Sequence, residues 1–367
     1  MIHVKSNAFT YIIRFTSKVV SSLSFFLDHM TDQQQIEYDK WLSISEPFRD
    51  DDRYQDFLRK IIISNCPVIL SYKHLAVLLD VDYTVLLAMI NHSSSFYYEF
   101  SIPKRSGGER KISAPYPVML MAQRWIYDNI LSTVSIHSSA TGFVKDASIK
   151  DNATPHLGHD YILKTDIKDF FPSITINRVR FIFKRLGYSR KIAFALASLC
   201  CLDGVLPQGA ATSPTISNII FKRLDSRMSG LASKFGLIYT RYADDLAFSG
   251  ECIYPKFIEY VADIVRTEGF ELNTEKTRLM PPKHQQIITG ISVSTGSIKL
   301  PKATKRRLRK EVYYVLKYGV RGHMKNQGFF DPIYLERLIG KMYFWQSLEP
   351  DNKFVIDKLP KLKACHW

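Results

Sequence analysis

A chain of 367 residues with 46% hydrophobic content can bury a full core, as one large domain or two to three subdomains. Fifty Lys and Arg against 35 Asp and Glu leave a formal charge of +15 and a pI near 9.4, which selects a polyanionic partner, nucleic acid before membrane. Five cysteines (Cys66, Cys200, Cys201, Cys252, Cys365) without a CxxC pair argue against a disulfide framework or structural zinc and for reduced thiols in the cytoplasm, and no run of about 20 uncharged apolar residues is present to form a transmembrane helix.

Residues 1–65 read as a helical extension. In "FTYIIRFTSKVVSSLSFFLDHM" the apolar residues Ile12, Phe15, Val19, Leu23, Phe26 and Met30 recur every three or four positions, the stripe of an amphipathic docking helix. A signal peptide is the competing reading, against which Ser21, Ser22 and Ser24 interrupt the apolar run and no small-x-small cleavage site follows. A second, acidic-polar helix is expected through "TDQQQIEYDKWLSIS", then a charged linker, "EPFRDDDRYQ". Residues 66–95 read as short helices. "FYYEFSIPKRSGGERKISAP" is a hairpin turning at Ser106-Gly107-Gly108, and a helix follows through "VMLMAQRWIYDNILSTV".

"DYILKTDIKDFFPSIT" reads as a strand running into a turn. Asn177 can cap a helix through "RVRFIFKRL" that stops at Gly187, and another helix covers 189–202. "GVLPQGAATSPTISNIIFKRLDSRM" is a loop entering a long helix near Ser213-Pro214. A hairpin spans 237–250 and a helix about 255–267; short strands are expected in "ELNTEKTRLM", "QQIITGISVS" and "SIKLP", and the last 67 residues read as helical and basic. The order of elements predicts an α+β fold whose antiparallel sheet holds an acidic tip.

That tip is "YTRYADDLAFSG". Asp244 and Asp245 interrupt a strand-like run, although Asp is depleted in strands and adjacent like charges repel. A bound divalent cation would offset the repulsion; a hairpin tip with solvated Asp residues is the alternative. A two-metal phosphoryl-transfer site needs carboxylates on neighbouring strands aimed at one spot. Asp166, after the apolar run Tyr161-Ile162-Leu163, is the expected partner, while Asp169 lies past the strand and serves the turn. Since consecutive strand side chains face opposite ways, Asp244 should pair with Asp166 and Asp245 should contribute less directly.

"YADD" in an apolar hairpin, "TDIKDFFPSI" upstream and "LPQGAATSP" between them resemble, in this order, the palm of a reverse transcriptase. The resemblance covers roughly residues 96–300. Asn152-Ala153-x-x-His156 and Ile288-Thr289-Gly290 resemble the two signatures of bacterial retron reverse transcriptases, the second with Ile in place of the usual Val. The resemblance implies two Mg²⁺ ions on Asp166, Asp244, Asp245 and the Ile167 backbone carbonyl. It places Gln208-Gly209 at the incoming nucleotide or template base and Phe171 under the sugar, with Phe170 left to the core. It gives Lys276 the leaving pyrophosphate, against a plain backbone-binding lysine. In this family the fingers swing cations over the triphosphate, which singles out Arg110 and Lys104 among the hairpin charges. Asn152 and His156, with Thr289 and Gly290, either contact RNA or brace the palm.

From Leu300 onward 15 Lys and Arg face 6 Asp and Glu, so this tail holds +9 of the net +15. Its densest part includes Lys305, Arg306, Arg307, Arg309 and Lys310, followed by Tyr313, Tyr314 and Tyr318. A basic helix with aromatics suits a grip on RNA or an RNA–DNA hybrid; a solvated face is the alternative.

The implied architecture is a right hand: a helical extension (1–65), fingers and palm entry (66–165), a palm with primer-grip strands (166–300) and a basic helical thumb (301–367). The implied activity is DNA synthesis from dNTPs on a structured non-coding RNA encoded beside the enzyme. Priming from an internal guanosine 2′-hydroxyl gives a branched RNA–DNA hybrid, and the family adds anti-phage defence with a separate effector protein. The competing readings are another bacterial reverse transcriptase class (diversity-generating or abortive-infection type), a DNA-templated or RNA-making polymerase, and a non-catalytic RNA scaffold.

Overall fold

The computed structural model describes residues 30–45, 50–103 and 107–365. The docking stripe from Ile12 to Phe26, and Lys104, lie outside the described residues. No single helix among the described residues is long and apolar enough to cross a membrane.

Helix α1 (Asp32–Ile44) opens with a capping box: Thr31 Oγ1 accepts from the Gln34 amide at 3.3 Å and Gln34 Oε1 accepts from the Thr31 amide at 2.9 Å. The end of the expected charged linker, Asp52 to Gln55, instead belongs to a helix. Asp51 caps α2 (Asp52–Ile63) by accepting from the Arg53 amide at 2.8 Å, and Leu58, Ile61 and Ile62 form its buried stripe. The acidic run is thus a helix start, where acidic side chains satisfy free amides and the positive end of the helix dipole.

The chain divides into two compact units, one of the described residues up to Ile136 with Phe171–Ile220, the other of His137–Phe170 with the residues from Phe221 onward. The first unit holds short helices α3 (Tyr72–Leu78) and α4 (Tyr83–Asn91), then an antiparallel hairpin of β1 (Tyr97–Pro103) and β2 (Glu109–Pro115). Helices α5 (Pro117–Asn129), α7 (Ile176–Arg185) and α8 (Arg190–Cys200) complete it. Thr175, rather than Asn177, holds the N-cap position of α7; Asn177 lies inside its first turn. The fully buried amide of Gln123 ties three parts together: it donates to Leu199 O (2.9 Å) and Tyr97 Oη (2.6 Å) and accepts from the Ala211 amide (3.1 Å). Helix α9 (Ser213–Lys234) begins at the expected Ser213-Pro214.

In the second unit a short helix, α6 (Ile149–Ala153), precedes an antiparallel sheet ordered β4-β5-β3-β6: β3 is Tyr161–Asp166, β4 Ile238–Tyr242, β5 Asp245–Gly250 and β6 Arg278–Met280. Leu163 and Phe248 are paired and share one face; Phe248 meets Phe257 of α10 (Pro255–Thr267) edge-on at 5.1 Å. Ile162 and Ala247 belong to a cluster with a small hairpin, β7 (Ile287–Ile288) and β8 (Ile291–Ser292), and with the helices α11 (Lys302–Gln327), α12 (Tyr334–Leu348) and α13 (Lys353–Lys363) around Trp345. Both faces of β3 are covered, so the adjacent Ile162 and Leu163, which face opposite ways, are both fully buried.

Candidate active site

The register of the sheet sets the acidic residues. Asp166 ends β3 directly opposite Asp245, the first residue of β5, so their side chains share a face. Asp244 lies in the two-residue turn between β4 and β5, and its carbonyl accepts from the Ile167 amide at 3.0 Å. Ala243, ahead of it, takes a φ of +57°, a left-handed backbone that Ala adopts only when its surroundings impose it. The turn aims Asp244 at Asp166. Burial, with Asp166 and Asp245 adding their charge, pushes the Asp244 carboxyl up to about 6. Asp245 is drawn the other way along β3, onto Lys164 at 2.9 Å.

Lys276 completes the cluster. Its ammonium donates to both oxygens of Asp166 at 3.0 Å. Partial desolvation pulls its pKa down, but Asp166, Asp244 and Asp245 outweigh this and hold it above the usual lysine range. The site therefore attracts positive charge strongly. Among the described residues no three His, Cys, Asp or Glu converge on one metal position, and Asp245 is engaged by Lys164. Two carboxylates in mutual repulsion are nonetheless a fitting donor set for Mg²⁺, which takes one or two protein carboxylates and completes its shell with waters and substrate phosphates.

The turn is braced from below by residues that the sequence reading passed over. Arg241 and Asp225 are both fully buried and joined by a fork of two 2.7 Å hydrogen bonds. Tyr239 donates to the same carboxylate at 2.8 Å, and Arg241 Nη1 donates to the Ala243 carbonyl at 3.0 Å. An added Cβ on Gly142 would lie 2.6 Å from the Ala243 amide nitrogen, so only glycine fits against the turn there. The available signal was an arginine inside an otherwise uncharged strand run, "IYTRY".

Asn152 and His156 are sealed inside, at 1% and 0% exposure, which corrects their placement as RNA contacts and leaves the bracing role. His156 bonds Ser249 (2.6 Å) and Thr240 (2.7 Å) through its two ring nitrogens, tying it to both strands of the acidic hairpin. Burial, with His159 nearby, lowers its pKa to about 3. Asn152 accepts from Thr141 at 2.9 Å and donates to Thr289 at 3.4 Å, so the two signature motifs meet. Thr289 and Gly290, at φ +44° and +82°, form the two-residue turn between β7 and β8. Gly290 is exposed and Thr289 half-buried.

The remaining nucleotide candidates lie in the first unit. Arg110 is exposed on β2 and paired with Ile102. Phe171 is partly exposed, whereas Phe170, in the second unit, is buried against Phe221 at 4.9 Å, as the alternation predicted. Gly209 takes a φ of +134° and lies tight against β2. A Cβ there would stand 2.6 Å from Ser113 O of β2, and the neighbouring Gln208 carbonyl accepts from the Ser113 amide at 2.9 Å. The close approach is to the protein's own hairpin.

The basic run of α11 does not act as one surface. Lys305 is spent on Glu349 at 2.6 Å, a contact that also fixes the Leu300 amide, so its expected role on RNA is corrected to a structural one. Arg309 lies over Trp345 and Phe354, 5.7 and 5.3 Å from the ring centres. Arg306 lines a cavity of about 760 Å³ with Lys283, Lys299 and Lys302, while Arg307 and Lys310 line another.

Residues 102–293 match the reverse transcriptase (RNA-dependent DNA polymerase) family. The chain is similar to the retron Ec86 reverse transcriptase of Escherichia coli, 36% identical over 234 residues, covering 62% of this chain and 73% of that protein. It is also similar to two proteins of Myxococcus xanthus. The retron Mx65 reverse transcriptase is 40% identical over 233 residues (58% of this chain, 54% of that protein). The retron Mx162 reverse transcriptase is 33% identical over 289 residues (70% and 59%). The chain thus spans under two thirds of either Myxococcus relative. The family match covers the segment that carries the acidic turn, Asp166 and the Gln208 loop, and together with the similarity to the Ec86 protein over 73% of its length it shows that the chain belongs to the reverse transcriptases, RNA-directed DNA polymerases, and among them to those of bacterial retrons.

Proposed function

We propose that this reverse transcriptase copies part of a structured non-coding RNA into a short DNA at a centre built on Asp166 and Asp244. The observation that carries the reading is the meeting of Asp166, at the end of β3, with Asp244, in the β4–β5 turn, with burial raising the cost of leaving them without a cation. Asp166, Asp244, the Ile167 carbonyl and, at one remove, Asp245 would hold two Mg²⁺ ions. When bound, such a pair supplies activation of the attacking hydroxyl and charge stabilisation on the leaving oxygen.

The chain's own residues do the rest. Asp244 and Asp166 would fix the position of the cations that meet the reacting phosphate, and Lys276, released from Asp166, delivers a proton to the departing pyrophosphate. Arg110 and Lys104 take triphosphate oxygens, Gln208 and Gly209 meet the base pair being formed, and Phe171 excludes a 2′-hydroxyl. The Thr289-Gly290 turn and the Arg306, Arg307 and Lys310 cations guide the template–primer. Residues 66–165 serve as fingers, 166–300 as palm and 301–367 as thumb, with 1–65 as an extension that docks a separate effector. Synthesis begins on an internal guanosine 2′-hydroxyl of the cognate RNA, in the cytoplasm, as part of anti-phage defence.

Nucleic acid copurifying with the chain, sequenced from wild type and Asp244→Asn, tests this. The expected result is a short DNA joined 2′–5′ to RNA in the wild type only. Equal DNA from both would remove the carboxylates from the reaction, and DNA without the branch would remove the priming step.

A further inference from the structure

Well away in sequence from the acidic residues, α11 is broken at Gly319, whose φ of +73° and ψ of 166° lie in a region essentially reserved for glycine. In an unbroken helix, residues nine positions apart stand roughly 13 Å apart along the axis. The break instead brings the rings of Tyr314 and His323 to 6.1 Å, within 11° of parallel. From α12, Tyr334 closes the space. Its hydroxyl meets His323 Nε2 at 3.1 Å, and Phe329 packs against its ring at 5.2 Å. A cavity of about 280 Å³ with aromatic walls results.

Two kinds of polar group line it. Glu311, its side chain 19% exposed, is a carboxylate set among the rings. Lys341 and Arg307 stand 3.3 and 3.7 Å from it, and the Lys310 ammonium lies 6.0 Å from the centre of the Tyr314 ring. Three cations against one carboxylate leave the cavity positive.

We propose that this cavity binds one unpaired guanine nucleotide of an RNA. Aromatic faces stack on any base. The surrounding cations suit the phosphate attached to it. The carboxylate narrows the choice, because an ionised carboxylate only accepts hydrogen bonds. Guanine alone presents two adjacent donors, N1–H and N2–H, on its Watson–Crick edge. Adenine and cytosine place an acceptor beside their amino group, and uracil flanks its single N–H with two carbonyls. A cage for a cationic ligand would also put a carboxylate among rings, but it would not be ringed by Arg307, Lys310 and Lys341. The cavity shares Arg307 and Lys310 with the proposed template–primer contacts but no residue with the acidic centre, so its failure leaves the reading of that centre standing.

Calorimetric titration of the full-length chain with GMP, in EDTA and low salt, tests the assignment. The wild type should bind GMP about fivefold or more tighter than AMP. Tyr314→Ala should weaken GMP about tenfold or more. Glu311→Gln, which preserves shape, should abolish the preference for GMP over AMP, and Asp244→Asn should leave GMP affinity unchanged. No GMP binding by the wild type, inorganic phosphate binding as tightly as GMP, or a preference that survives Glu311→Gln would overturn it. So would GMP affinity lost in Asp244→Asn, since the nucleotide would then sit at the polymerase centre.

Discussion

Removing the charge of Asp225 probes the support beneath the acidic turn. Arg241 and Asp225 are at 0% side-chain exposure, and the hydrogen bonds they make to each other, to Tyr239 and to Ala243 are 2.7–3.0 Å. Asp225→Asn keeps the shape but leaves a guanidinium without a counter-charge where water does not reach. Breaking one partner of such a pair costs about 3–5 kcal/mol. Part of that loss passes to the turn, because the same guanidinium holds the Ala243 carbonyl against a left-handed backbone. Urea unfolding of the full-length chain should therefore show about 3–5 kcal/mol lost. DNA synthesis should fall further than the folded fraction explains. Pairing Asp225→Leu with Arg241→Met replaces two charges by apolar groups of similar volume. That double variant should regain most of the stability but little synthesis, since the carbonyl still lacks its donor. A loss under about 1 kcal/mol for Asp225→Asn, or full synthesis in the double variant, would refute the reasoning.

Asp244→Asn should stabilise the metal-free chain while ending synthesis. The folded carboxyl titrates at about 6 against a usual 3.8, so its contribution is whole below pH 3.8 and is lost as pH rises through 6. The gain in the variant should reach about 3 kcal/mol at pH 7 and vanish near pH 4, read from thermal melts in EDTA. His156 acts with the opposite sign. The unfolded chain takes a proton below about pH 6.5 that the folded site refuses down to about 3, so stability is lost as pH drops through that window. His156→Gln should lose its own interactions at pH 7, yet its deficit should shrink by about 2 kcal/mol at pH 5, compared by urea midpoints. Gly209→Ala, with its new Cβ 2.6 Å from Ser113 O, should part the loop from β2. Faster hydrogen exchange of the Ser113 amide and about 1–3 kcal/mol of lost stability are the expected signs.

Much of the fold follows from local pattern. Alternation around Gly107-Gly108 gives the β1–β2 hairpin, and Ser213-Pro214 starts α9, because turn chemistry and helix entry depend on neighbours in sequence. The closeness of Asp244 to Asp166 has a chemical reason visible in the sequence, since carboxylates in a strand run need a cation, whereas the register that sets Asp245 opposite Asp166 is not visible there. What escaped depends on partners far along the chain. Nothing near Lys305 announces Glu349, and nothing in "NATPH" announces that Asn152 reaches Thr289 and His156 reaches Thr240 and Ser249. The acidic run at Asp51 misled for a simpler reason. Its charge was weighed, and its capacity to cap a helix was not.

The cations between Lys302 and Lys310 are contiguous in sequence but radiate from their helix toward separate neighbours. Neutralising the whole run at once would blend a folding defect, through Glu349 and Trp345, with lost affinity at two distinct cavities, and the summed phenotype would match none of them. One substitution per helical face would resolve the stretch into its separate parts: Lys305 at Glu349, Arg306 at one cavity and Lys310 at the other.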